Sequence, residues 1–307
     1  MTKRRPLRVG VQLPEVEREV RWAEHLAIAR RAEELGYDTL WVGDHLLYRL
    51  PDGSTHGPWE AWTLLSAIAA STSRIRLGPL VASTAFHAPA MLAKLAATVD
   101  EVSGGRLILG LGAGWNETEF RAFGFPYDRL VSRFEEAFTI IRTLLRDGAI
   151  DFDGQFYQAR DCELLPRPAR PGGPPLLIGS KGERMLRITL PHVDAWNVWF
   201  ADTNNRPAGV APLRDLVDEI CREVGRDPAA IERTVAVQVC LTGGRGRIQG
   251  DTSRAPVVPL AGSAEIMADE LREYAHQGIG EVQLVLDPIT LASLEEFAPV
   301  LELLDRG

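Results

Sequence analysis

The sequence is poor in sulfur: three cysteines (Cys162, Cys221 and Cys240) and four methionines are spread over 307 residues. The cysteines make no CxxC pair and no Cys/His cluster, which argues against structural zinc or any other metal site. An odd number of thiols fits free side chains in a reducing compartment. Positive charge is also short. Thirty-four lysines and arginines face 42 aspartates and glutamates, a formal net charge of −8. That balance argues against a nucleic-acid partner, which needs a basic stripe. It still allows an anionic ligand, because backbone amides and a few cations can hold one phosphate. No apolar run of signal-peptide length precedes Pro14, and none approaches a bilayer span. The expectation is a cytoplasmic protein without a membrane partner.

What the sequence does contain is alternation. Apolar β-type runs at Leu7–Leu13, Thr39–Val42, Ile75–Val81, Leu107–Leu111, Pro174–Gly179, Asp194–Phe200, Thr234–Thr242 and Glu281–Leu286 are each followed by helical patterning. The helical stretches are Glu19–Leu35, Trp59–Ala70, Met91–Val102, Arg129–Leu145, Glu183–Leu190, Leu213–Val224, Ser263–Gln277 and Leu291–Leu304. Eight β/α units in one run predict an α/β fold of the (β/α)8 TIM-barrel type with insertion segments. A doubly wound open sheet is the competitor, but no composition break divides the chain into two nucleotide-binding halves. The chain reads as one domain over residues 1–307. An insertion is expected near 147–175, where turn signals and aromatic alternation precede a Pro/Gly-rich tail, and a flexible loop near 243–260.

"LILGLGAGWNETEF" (Leu107–Phe120) spaces Gly110, Gly112 and Gly114 after the fourth strand. The dinucleotide fingerprint needs a glycine where Trp115 stands, an acidic residue about 20 positions on at a strand end, and a first strand ahead of it. All three are missing. Glycines here either admit a ligand close to the backbone or relieve crowding where strand becomes helix. A second loop, "IGSKGE", sets Gly179, Ser180, Lys181 and Gly182 ahead of a helix, a combination that suits an anion or simply caps the helix with Lys181 in solvent. Asp44 and His45 end the second strand, where a barrel places its chemistry. His45 can move a proton near neutral pH. His56 and His87 read as rim residues. Metal-assisted hydrolysis lacks an H-x-H pair on the first strand. Glycoside hydrolysis has Asp44, Glu60, Glu117 and Glu119 available, but no strand ends in an acid pair.

Several segments taken together resemble the bacterial luciferase-like monooxygenase family of flavin- or coenzyme F420-dependent oxidoreductases. They are "GYDTLWVGDHLL", "RIRLGPLVASTAFHAPAMLAKLAATVDEVSGGRLILGLGAGWNETEFRAFGFP", "RFEEAFTIIRTLL", "PPLLIGSKGERMLRI" and "VDAWNVW", and they span most of Leu7 to Trp199. The resemblance implies a barrel with the cofactor ring across its mouth, and a homodimer. It implies a bulge with a non-prolyl cis peptide behind the ring, matched here by Leu80 and Val81, although Pro79 departs from the small polar residue usual before it. Asp44 would contact the ring or its tail, and His45 would face the reactive edge as the catalytic residue. Gly112, Gly114 and Asn116 would lie near the ribityl-phosphate portion. Gly179, Ser180, Lys181 and Gly182 would hold the phosphate. Gln12, Trp59, Trp115 and Trp199 are expected around a small-molecule substrate. The implied function is hydride transfer between coenzyme F420 and a small organic substrate. The alternatives are an FMN-dependent monooxygenase using O2, partnered by a flavin reductase, and a non-catalytic flavin-binding barrel. An Arg-rich composition leans the reading to F420. The sugar-phosphate dehydrogenases of the family are disfavoured, because Tyr48-Arg49 and Trp115 stand where they carry a Trp and a Glu.

Overall fold

The computed structural model describes residues 5–50, 52–246 and 257–306. The central part of the loop expected near 243–260 therefore lies outside the described residues. From the N-terminus, β1 (Arg8–Gln12) leads to α1 (Trp22–Leu35) and β2 (Thr39–Val42). A small antiparallel ribbon, β3 (Tyr48–Arg49) and β4 (Thr55–His56), then precedes α2 (Ala61–Ser71). The predicted third strand is split into β5 (Arg76–Pro79) and β6 (Ala82–Ser83), with a cis peptide between Leu80 and Val81. Next come α3 (Pro89–Ser103), β7 (Leu109–Gly112), α4 (Glu117–Phe123) and α5 (Leu130–Asp147).

The expected insertion contains an antiparallel hairpin, β8 (Ala149–Asp153) with β9 (Gln158–Glu163). Glu136 of α5 ties down its tip by accepting the amides of Gln155, Phe156 and Tyr157 at 2.8–3.0 Å. The alternation resumes with β10 (Leu176–Gly179), α6 (Glu183–Thr189), β11 (Ala195–Val198), α7 (Ala211–Glu223) and β12 (Glu232–Cys240). It ends with α8 (Ala264–His276), β13 (Ile279–Asp287) and α9 (Leu291–Asp305). Ser263 caps α8 through its side chain, as its position predicts, and Gly278 follows at φ +84.

All strands outside the two ribbons pair in parallel, in the order β5-β2-β1-β13-β12-β11-β10-β7-β6. A parallel bridge between Leu77 and Leu107 joins β5 to the chain entering β7 and closes the cylinder. Counting β5 and β6 as one interrupted strand gives the eight of the predicted barrel. The strands are buried because each is covered on both sides: β2 and β7 have no exposed residue. The main core lies between the strands and the helical ring and includes Val9, Leu40, Leu65, Leu109, Ile178 and Val282. A second cluster, Trp41, Leu80, Ile108, Leu177 and Ala195, fills the inside of the cylinder. No helix among the described residues is long and apolar enough to cross a membrane. All three cysteines are free, and only Cys221 is buried.

Candidate active site

A cavity of ≈ 370 Å³ opens at the ends of the strands from which the βα loops leave. Its floor is apolar and includes Leu80 and Val81, on either side of the break in the third strand. The neighbouring glycines exist largely for Val81. A Cβ on Gly112 would come within 2.7 Å of Val81 Cγ2, and one on Gly179 within 3.0 Å of Val81 Cγ1. A Cβ on Gly110 would sit 2.2 Å from the Pro79 carbonyl oxygen. The crowding reading of the glycine loop thus holds for Gly110 and Gly112, and Gly179 of the second loop meets the same side chain. Gly114 has a separate constraint: its φ is +81, and a Cβ there would meet Ser83 Oγ and Phe120 Cζ at 2.6 Å each.

His45 leaves β2 and points into a cluster of acids. Its Nδ1 lies 2.9 Å from Glu119 Oε1, and its Nε2 lies 3.8 Å from Glu15 Oε1. Glu119 is almost fully buried, and its second oxygen accepts the Leu46 amide at 2.8 Å. Glu15 accepts from Tyr48 Oη and from Gln12 Nε2, each at 2.7 Å. Burial of the imidazole disfavours its charged form. The charge of Glu15, the hydrogen bond to Glu119 and the charges of Glu119 and Asp44 outweigh that penalty. The net result is a His45 that stays protonated above its ordinary 6.5. Tyr48 and Trp115 stand against this imidazole with ring centroids at 4.9 and 5.7 Å, so the reactive corner has aromatic walls.

Asp44 plays a different part from its neighbour. Its Oδ2 accepts the Ser83 amide at 2.9 Å, and His87 Nε2 lies 3.0 Å from the same oxygen. It ties the segment after β2 to β6 and to His87 beyond it, and through this bond His87 becomes a support of the site. Two buried polar atoms of cavity-bordering residues have no partner among the described residues: Gln12 Oε1 and Ser83 Oγ. Orphans of this kind cost free energy unless a ligand or water completes them.

Most of the sequence candidates meet at this one cavity. Gln12, Asp44, His45, Leu80 and Val81 border it; so do Gly112, Gly114 and Trp115 from the glycine loop, and Gly179, Ser180, Lys181 and Trp199 from the far side. Three candidates do not. Asn116 is the N-cap residue of α4, and its side-chain amide donates to the Leu47 carbonyl at 3.1 Å. Gly182 sits behind the rim, its amide donating to Ser180 Oγ at 3.2 Å. Trp59 precedes α2, is 49% exposed and donates its indole N–H to the Val20 carbonyl. Its assignment to the substrate pocket is corrected: an aromatic in the loop after a strand looks the same whether it faces the barrel axis or lies over a neighbouring loop. Lys181, expected either to hold an anion or to lie in solvent, bonds Asp202 Oδ1 through its Nζ at 2.6 Å while about half of its side chain stays exposed. Sequence reasoning missed Glu15 and Asp202, gave Glu119 no role here and weighed Tyr48 only as a departure from the sugar-phosphate dehydrogenases. The available signal was their place in the segments that follow strands one, two, four and six.

Comparison with known proteins identifies the family. The model of the luciferase-like monooxygenase family matches residues 7–278. A phthiodiolone/phenolphthiodiolone dimycocerosates ketoreductase of Mycobacterium sp. is 34% identical over 228 residues, covering 68% of this chain and 58% of the relative. A 5,10-methylenetetrahydromethanopterin reductase of Archaeoglobus fulgidus is 32% identical over 157 residues, covering 51% of this chain and 43% of the relative. The chain thus spans about half the length of these curated relatives. Among solved structures, an F420-dependent secondary alcohol dehydrogenase in complex with an F420-acetone adduct superposes with a TM-score of 0.80. It is 20% identical, and the match covers 96% of this chain and 98% of that one. That likeness speaks for the barrel. With the family model spanning nearly the whole chain, the protein belongs to the luciferase-like monooxygenase family.

Proposed function

We propose that this protein is an oxidoreductase that exchanges a hydride between coenzyme F420 and a small organic substrate, with His45 as the proton-transfer residue. The observation that carries the proposal is the imidazole of His45 held between buried Glu15 and Glu119, beside an apolar floor made by Leu80 and Val81. The cavity suits a flat redox cofactor. It has an apolar floor, its ≈ 370 Å³ lies in the range of small-molecule clefts, about 300–1,000 Å³, and two unpartnered polar atoms belong to its border. Names among the relatives and neighbours support the same reading: one is a methylenetetrahydromethanopterin reductase and another is F420-dependent.

When bound, the deazaflavin would supply the two-electron hydride chemistry. The protein does the rest. Leu80, Val81 and the aromatic walls exclude water and orient flat ligands. Gly179, Ser180 and Lys181 are the residues we assign to the phosphate end, with Gly112 and Gly114 lining the path to it. His45, charged and fixed by Glu119, gives a proton from Nε2 to the substrate atom that becomes negative on reduction. It takes that proton back in the reverse direction. Glu15, 3.8 Å from that nitrogen, keeps the imidazolium charged until the transfer.

Fluorescence titration of the purified protein with F420 and with FMN tests the proposal. Saturable micromolar or tighter F420 binding supports it. FMN binding without F420 binding turns the assignment to a flavin monooxygenase, and binding of neither removes it.

A further inference from the structure

The side-chain amides bordering the cavity are set in one direction. Asn197 lies on β11, is 5% exposed and borders the cavity. Its Nδ2 gives one hydrogen to Thr234 Oγ1 at 2.9 Å and the other to Gln283 Oε1 at 2.8 Å. Thr234 fixes this setting. Its hydroxyl lies 3.2 Å from the Trp196 carbonyl, which can only accept, so the one hydroxyl hydrogen goes there and leaves lone pairs for Asn197. Both hydrogens of the Asn197 amide are thereby engaged, and Oδ1 has no hydrogen bond among the described residues. Gln12 is held alike. Its Nε2 donates at 2.7 Å to Glu15, a carboxylate that only accepts, and its Oε1 is buried without a partner among the described residues. Among the described residues bordering the cavity these are the two with side-chain amides, and each is left with an oxygen acceptor.

We infer that Asn197 is a specificity residue whose Oδ1 accepts a hydrogen bond from a hydroxyl or N–H of the substrate, a group separate from the oxygen that His45 serves. The site then selects substrates with a second donor, such as diols and hydroxyketones, over those with a lone carbonyl or an ether. The inference rests on the cofactor reading given above, with the flat ring against Leu80 and Val81. In the strand order β11 stands three places round the cylinder from β6, so Asn197 faces the other side of that ring, the side left for the substrate. An acceptor fixed at a nearly buried position disfavours a ligand that brings only lone pairs, because two oxygens would meet out of water with no hydrogen between them. A ligand hydroxyl loses a bond to water and regains one here. Sites built to hold a substrate O–H reject the analogue lacking it far more strongly than an apolar pocket rejects a missing methylene. Turning the Asn197 amide over would set its oxygen against Gln283 Oε1 and draw the Thr234 hydrogen away from Trp196.

Cyclohexanediols with hydroxyls on adjacent, alternate and opposite ring carbons, each beside its monomethyl ether, test this. The ether keeps both oxygens and one hydroxyl and replaces the second donor by a methyl group. F420 binding is titrated first. Dissociation constants of the probes are then read from the absorbance change of the bound F420, on the wild type and on Asn197→Leu. In the wild type at least one diol should bind about tenfold tighter than its ether, and in Asn197→Leu that ratio should fall to about one. Thr234→Val loosens the hold on the amide without touching the ligand and should lower the ratio about threefold, a check that does not depend on how well Asn197→Leu folds. Equal binding of diols and ethers, a preference for the ethers, or no absorbance change with any probe overturns the inference and leaves the cofactor reading standing. So does a ratio that survives in Asn197→Leu, which would assign it to the bulk of the methyl group. A wild type that does not bind F420 sinks both.

Discussion

Each end of the barrel buries a carboxylate, and the two are treated differently. At the base, Glu281 of β13 receives Trp41 Nε1 at 3.0 Å, Arg8 Nε at 3.2 Å and an Arg76 guanidinium nitrogen at 2.8 Å. Two cations and an indole serve one acid. At the mouth, among the described residues, Glu15 and Glu119 flank a single imidazole, and the cluster borders a cavity with orphaned polar atoms. A saturated acid holds strands together. An acid-rich cluster around one histidine keeps a proton where a ligand can reach it. On the proposed function, the base serves stability and the mouth serves chemistry, the division expected of a barrel of this type.

Substitutions can break or sharpen this contrast. The largest effect belongs to His45→Ala, which should lower turnover by about 10²–10⁴-fold while cofactor affinity stays within about threefold. Steady-state kinetics beside a binding titration decide it, and a variant with near-normal turnover would make the mouth no more chemical than the base. The mirror experiment is Glu281→Leu, which removes the acceptor of Arg8, Arg76 and the Trp41 indole N–H. It should cost about 2–3 kcal/mol in urea unfolding, less than a fully buried pair because both arginines are partly exposed and Arg8 keeps Glu232. The surviving folded enzyme should turn over normally.

Smaller effects follow from proton binding. The pKa of His45 is raised in the folded state, so its charged form adds stability that is complete below the ordinary 6.5 and disappears as pH rises through the folded value. Substrate reduction needs that proton and should fall over the same upper window. Glu119→Gln removes the charge but keeps an amide oxygen able to accept from Nδ1, and should move the fall to lower pH in a kcat/KM profile. An unmoved profile would show that Glu119 only packs. The smallest effect is expected of Trp59→Ala, outside the cavity, which should leave cofactor and substrate affinities unchanged. Trp115→Ala, beside His45, should raise KM.

The barrel was legible because its strands are buried on both faces. "TLWV" is apolar throughout and ends in Gly43 and Asp44, so β2 has its predicted bounds. His45 was legible because a histidine directly after such a strand has few other places to point. Glu15 and Glu119 were not. In "PEVERE" and "NETEF" acids alternate as on any solvated surface, and the closure of the cylinder decides which one turns inward. Lys181 was legible as a cation beside the mouth, but its partner comes from the next βα unit, and no local pattern links them. Trp59 failed for the opposite reason: its chemistry suited a pocket, and its backbone placed it over Val20.

Val81 touches the space that side chains on the fourth and fifth strands would otherwise occupy. Positions 81, 112 and 179 therefore form one volume account shared by three strands. Alanine at 112 alone should perturb the floor, whereas the same change paired with a smaller residue at 81 should be tolerated. Redesign of this floor has to treat the three positions as a single unit, and exchanging methyl groups among them offers a way to tilt or lower a bound ring without touching the acids above it.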